Sequence, residues 1–367
     1  MVKLSEGCLR LSPRVMLIYL TATNLLIYLD RGALSSVISI LKSDDQGLDL
    51  NSGEAGGLGS IFMLGYMIAS PIFAHFAQHT HPIYLMGFGL MIWSIATFLA
   101  GMSTTFGWLL TARAFTGVGE ASFVSLAPPY IMEIAPENSK SIWLAVFFSG
   151  LSIGNASGFV YGGMISNIFH SWRWPFIIES FIMIPFIIIA FSIQKDPKYV
   201  VRKENKQKLI TETSEEIVFR PSTVPLHRQF RDLFLNKIFL LLVLGYSSFA
   251  FTLGGLVFWA PDFIQEDYNI ADFEAVLLLG VLFMASGLSG LVTGSYLLDK
   301  KMLKYTDSYN KNLISEDELE KFRTYEANRI LAIVTILGSS IAVVGVLIDK
   351  LVPFLICVTI GEFFCLM

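Results

Sequence analysis

An all-α membrane protein is the fold class that the sequence predicts, on three observations. The first is composition. Of the 367 residues, 54% are hydrophobic and only 15% charged, whereas soluble domains carry about a quarter charged residues; mean hydropathy is +0.61. The second is a set of ten apolar runs, 15–41, 55–76, 83–102, 106–132, 141–166, 174–194, 237–264, 274–298, 327–348 and 351–367. Each approaches the ~20 residues that cross a hydrocarbon core. The third is where the basic residues fall. Lys3, Arg10 and Arg14 precede the first run, nine Lys and Arg lie between Lys195 and Arg231, and six lie between Lys300 and Arg323. The loop with Asp44, Asp45, Asp49 and Glu54 has one lysine, and Glu266 to Asp272 has none. Basic residues collect on the cytoplasmic side, so the N-terminus and both long loops are expected there. The net charge of −4 says little beside this pattern.

The first run follows three basic residues, as a signal peptide does. It is long, interrupted by Asp30-Arg31 and without a small-x-small cleavage site, so an uncleaved signal anchor is expected. At helical spacing Asn24, Tyr28 and Arg31 share one face, and Asp30 lies about 100° away. Asp30 and Arg31 therefore need not pair with each other. After the second run come His75, His79 and His81. The i, i+4 spacing of the first two suits a metal on a helix, but no cysteine and few carboxylates lie nearby. A solvated loop is the reading adopted, with no metal site.

The fourth run carries the most informative residue, Glu120, with Arg113 two helical turns earlier on the same face. A charge at mid-bilayer costs at least ~2.5–3.5 kcal/mol, so it faces a partner, a cavity or a transport path. With Asp30 and Arg31 at similar depth, acid and base sit on two spans. That points to proton- or ion-coupled transport, against the alternative of an ion-pair network that only fixes packing. Desolvation favours a protonated carboxylate and a nearby arginine opposes it, so a moving arginine can switch proton affinity.

In the fifth run Gly150, Gly154, Gly158 and Gly162 form one stripe, which lets another helix approach closely. The stripe serves packing alone or a sliding interface between halves, and Asn155 and Ser157 within it face a polar cavity or bond backbone. Trp172-Arg173-Trp174-Pro175 reads as an interfacial aromatic anchor for the sixth run. The polar stretch from 195 to 236 is expected to be a cytoplasmic linker with a short amphipathic helix near His227–Phe234. Asp299-Lys300 ends the eighth run as a gating contact or an ordinary helix end. Ser315 caps a solvated helix with acids in its first turn. The last run is apolar except for Glu362. Cys8, Cys357 and Cys365 show no zinc or disulfide framework.

Residues 1–194 are thus an N-terminal six-helix half, 195–236 a linker, and 237–367 a second half with four spans. The last span is incomplete, so a truncated or fragmentary chain is expected rather than a complete ten-helix protein. No phosphate loop, nucleophile triad or nucleic-acid patch is present, and neither an enzyme nor a cofactor is expected.

Asn24-Leu25-Leu26-Ile27-Tyr28-Leu29-Asp30-Arg31, Gly117-Val118-Gly119-Glu120-Ala121-Ser122, Phe123 to Pro129, Tyr161-Gly162-Gly163 and Ile360 to Phe364 resemble the major facilitator superfamily, and within it the spinster-like lipid transporters. The resemblance implies a bundle of two six-helix halves, here truncated in the tenth helix. It also implies alternating access around a cavity for an amphipathic substrate of lysophospholipid or sphingoid type, with protons as partner, in late endosomes, lysosomes or another endomembrane, with the plasma membrane as the alternative. By position, Asp30 and Glu120 become proton sites, Arg31 and Arg113 their charge partners or headgroup contacts, and Asn24, Tyr28, Asn155 and Glu362 cavity candidates. The loop Ala74 to Pro82 departs from the superfamily's pattern, with no acid, Lys or Arg. A symporter of small organic anions and a non-transporting membrane protein stand as alternatives.

Overall fold

The structure, a computed structural model, describes residues 11–43, 47–77, 80–136, 139–193, 226–268, 272–310, 315–348 and 350–366. Its helices follow the apolar runs, with boundaries set by local chemistry. Ser12 accepts from the Val15 N–H and Pro13 starts α1 (Pro13–Ser36), the position where a missing N–H costs nothing. The first run does not continue to its end. The Ser35 and Ser36 hydroxyls bond back to Arg31 O and Ala33 O, the helix breaks at Val37, and the short α2 (Ile38–Lys42) follows. An Asn51–Glu54 capping box opens α3 (Ser52–Phe76), which satisfies two N–H groups that the helix cannot.

His81, one of the three loop histidines, is the N-cap of α4 (Pro82–Gly101), its ring edge-on to Tyr84 and Tyr130. His79 lies outside the described residues. Then come α5 (Phe106–Ile134), α6 (Lys140–Phe169) and α7 (Trp174–Ser192). The amphipathic helix expected near 227–234 is α8 (Leu226–Leu235). It is followed by α9 (Lys237–Tyr268), α10 (Asp272–Asn310), α11 (Glu316–Val346) and α12 (Leu351–Leu366).

Six helices among the described residues are long and apolar enough to cross a membrane by composition alone. α1 and α5, at 24 and 29 residues, are long enough and carry the buried charges.

The stretch between the eighth and ninth runs differs from the expected loop. α10 runs on to Asn310 and α11 begins at Glu316, so the solvated helix is an extension of a span rather than a separate element. Its cap is the expected one. Ser315 N–H and Oγ both donate to Glu318, which holds that exposed carboxyl below the usual range. A group with a depressed folded pKa contributes above its unfolded pKa and loses that contribution as pH falls through the folded value.

α1 packs along α6, α3 on α5, and α4 on both α5 and α7. The core of this group is built around Trp93, Phe123, Phe147 and Met183. Trp172 is fully buried with Leu34, Leu109 and Phe176, so it is a core residue and only Trp174 of the expected anchor is exposed. The other helices join the first group through α6–α10 and α1–α9 contacts and a cluster holding Phe159, Ile264, Phe283 and Phe354.

The glycine stripe of α6 faces α1. A Cβ on Gly158 lies 2.3 Å from Leu29 O and 2.9 Å from Gly32 Cα, backbone atoms that cannot yield without separating the helices. The stripe thus serves packing inside the first group. The contact with α10 uses another face, where Gly280 approaches Ala156 O. Gly158→Val is expected to cost at least ~1–3 kcal/mol from overpacking, seen as a lower unfolding temperature in detergent. Gly107→Ala, in open space, is expected to change little.

Candidate functional site

Two glycines on α5 set the direction of Glu120. Gly117 lets α5 approach the backbone of α3 at Phe62, and Gly119 lets it approach α4 at Trp93. With those two neighbours in contact, Glu120 turns toward α1. There the charges pair in a crossed pattern. Arg113 Nη1 donates to Asp30 Oδ2 at 2.7 Å, and Arg31 Nη2 donates to Glu120 Oε1. Adjacent acid and base on α1 thus each take the opposite charge on α5, a result that helical spacing alone left open.

The two pairs differ in access. Asp30 and Arg113 side chains are each 1% exposed, whereas Arg31 is 25% exposed against 0% for Glu120. Arg31 lies over the rings of Tyr28 and Phe62, 4.8 and 4.9 Å from their centroids. Tyr66 of α3 is within electrostatic reach of the same pair, and Tyr246 of α9, which is well exposed, is within reach of Tyr28 and Tyr66. Arg31 is therefore the most accessible of the four charges. A guanidinium held by aromatic faces and one carboxylate still has donors for a phosphate or carboxylate.

The remaining sequence candidates divide. Asn24 Nδ2 donates to Phe147 O at 3.0 Å, which pins α1 to α6. Tyr28 and Asn155 are buried. Glu362 is buried on α12, with Ser286 Oγ 2.8 Å from its Oε2, apart from the α1–α5 charges. Lys300 is exposed and lies 5.9 Å from the Tyr296 ring centroid, and the Asp299 side chain lies outside what is described.

Sequence reasoning missed two features. Glu179 of α7 is fully buried and interacts with Asp30 and Arg113. Its signal was present, a lone acid in the apolar run 174–194, and the rule that found Glu120 applies to it equally. The other is a contact that closes one end of the bundle. Lys42 Nζ donates to Asp262 Oδ2 at 3.0 Å, while Phe258 and Trp259 of α9 press against Gly59 and Gly56 of α3. No sequence signal pairs residues 42 and 262. Lys42→Ala is expected to weaken this closure by ~1 kcal/mol, about fivefold in the opening equilibrium. A cysteine at buried Ala260, in a background without the native cysteines, then reacts correspondingly faster with a membrane-impermeant maleimide.

A helical membrane bundle whose two helix groups meet across a groove, with crossed charges buried in the first group, has the build of a transmembrane transporter. The Major Facilitator Superfamily model matches residues 20–367. The probable sphingolipid transporter spinster homolog 2 of Arabidopsis thaliana is 31% identical over 366 residues, covering 96% of this chain and 71% of that protein. Protein spinster of Drosophila melanogaster is 28% identical, over 77% of this chain and 45% of its own length. Among solved structures, a bacterial homologue of the human lysosomal transporter Spinster, inward-facing and unoccupied, aligns with TM-score 0.67 at 18% identity. That alignment covers 96% of this chain and 73% of that one. A D-xylose–proton symporter aligns with TM-score 0.59 at 14% identity. The chain belongs to the Major Facilitator Superfamily, in its spinster branch.

Proposed function

We propose that this transporter moves amphipathic lipids of lysophospholipid or sphingoid type by alternating access, coupled to protons. The observation that carries the proposal is the Arg31–Glu120 pair, in which a fully buried carboxylate is held by the more exposed of the two guanidiniums. An anionic headgroup that draws Arg31 away leaves Glu120 without its counter-ion in a dry site. A carboxylate in that position binds a proton, and it releases the proton when the arginine returns. Asp30, whose pairing to Arg113 is deeply buried, is the second proton site.

The lipid class is supported by the relatives named as sphingolipid transporters and by a groove of about 640 Å³ between α6 and α10. Ala156, Val160, Met164, Gly280, Met284 and Leu288 line it, so its walls suit an acyl or sphingoid chain. The end with Arg14, α8 and Lys301 is the cytoplasmic one by its basic residues, and the Lys42–Asp262 contact closes the opposite end. We assign residues 1–194 and 237–367 to the two halves that rock about the cavity, and late endosomes or lysosomes as the compartment.

The test is flux of radiolabelled lysophosphatidylcholine in proteoliposomes, with and without an imposed proton gradient. Gradient-driven flux is the expected result. Flux of a small organic anion in its place, without competition by lysolipid, replaces the lipid reading with that of an anion symporter using the same Arg31.

A further inference from the structure

We propose that Glu179 is a further proton-carrying residue of this site, sharing the Arg113 guanidinium with Asp30 so that the arginine holds one acid ionised while the other carries the proton. The inference rests on the proton-coupled reading above and extends it to a third helix.

Three observations carry it. Glu179 is 0% exposed, and neither of its carboxyl oxygens has a hydrogen-bond partner among the described residues. An ionised carboxylate in that state costs several kcal/mol, whereas a neutral acid avoids most of this. Second, Arg113 already lies against the same face of α7. Its guanidinium is 4.5 Å from the ring centroid of Phe176, and residues three apart on a helix are neighbours. Third, Arg113 spends Nη1 on Asp30 while its Nε and Nη2 have no hydrogen-bond partner among the described residues. Two unused donors thus lie near two unused acceptors.

The charge count points the same way. Glu120 takes Arg31, which leaves Asp30 and Glu179 around one guanidinium, and two carboxylates beside one cation retain a proton between them. Here Arg113 bonds Asp30, so the proton sits on Glu179. When the guanidinium turns its free donors to Glu179, the proton leaves Glu179 and Asp30 takes it, with no change in net charge.

Among the described residues, α4 and α6, the other elements packed on α7 besides α1, bring no competing charge to Glu179. α6 brings Tyr161, whose hydroxyl donates to Pro175 O. α4 has no charged residue in its span and contacts α7 through Ser94, which donates to Ser180 O. A purely structural role needs no acid here, because an apolar residue fills such a position at lower cost.

The test is infrared spectroscopy of the full chain in lipid nanodiscs, reading the C=O stretch of buried carboxylic acids and its shift in D2O. Glu179→Gln is expected to remove one such band, and Glu362→Gln to leave that band in place. Asp30→Asn is expected to remove the same band, because Arg113 then turns to Glu179 and ionises it. A role in packing alone does not produce that second effect. A folded Glu179→Gln protein that retains every band, or an Asp30→Asn protein that retains the Glu179 band, overturns the proposal. If Glu179→Gln does not fold, Glu179→Asp keeps the acid and is expected to shift the band, and an unshifted band is equally decisive against it. The readout requires no transport. Loss of gradient-driven flux in the wild type with these bands behaving as expected therefore sinks proton-coupled transport and leaves the shared arginine standing.

Discussion

Glu120→Gln is expected to abolish gradient-driven uptake while the bundle stays folded. Glutamine has nearly the shape of a protonated glutamic acid, and its carbonyl still accepts from Arg31 Nη2, the donor that now bonds Glu120 Oε1. The side chain has no proton to release, so the imposed gradient has nothing to act on. Uptake under a gradient is expected to fall to the level measured without one, while substrate exchange at equal pH persists. The thermal unfolding temperature should fall less than on loss of Arg113, because the surviving Arg31 is 25% exposed and water offsets its charge. Uptake in the variant with unchanged pH dependence sinks the assignment of Glu120 to coupling and moves it to Asp30 or Glu362.

Arg113→Met has the other large effect, on stability. It strips Asp30 of the guanidinium that pairs with it, at a position where both side chains are 1% exposed. Removing one member of a buried ion pair typically costs ~3–5 kcal/mol, because the survivor is left uncompensated. Combining it with Asp30→Asn is expected to recover most of the loss, since exchanging both charges for groups of similar volume is often neutral. Thermal unfolding of the two single variants and the double variant in detergent measures this. Additive losses in the double variant show that the two side chains act independently rather than as a pair.

Much of the fold was legible in the sequence because transfer into a bilayer is a local property. Each run of apolar residues declares a span by its own composition, whatever its neighbours do. The same locality made Asp30, Arg31, Arg113 and Glu120 visible, since a charge in such a run is costly enough to need a reason. It makes Glu179 visible too, as a lone acid in the apolar run 174–194. The capping of α11 by Ser315 was legible for a similar reason, because a cap depends on residues within one turn.

What the sequence by itself determined, then, is which segments are helices in the membrane and which of them carry charge. The tertiary structure decided who faces whom. Helical period places Gly150, Gly154, Gly158 and Gly162 on one stripe, yet only the packed bundle shows that stripe against α1 rather than against the other group of helices. It also decided the crossed pairing of Asp30 with Arg113 and Arg31 with Glu120, the burial of Trp172, and the meeting of Lys42 with Asp262 across 220 residues. The physical reason is that sequence period fixes the angle between side chains on one helix. The rotation of that helix about its own axis is set by the neighbours it packs against, and those are distant in the chain.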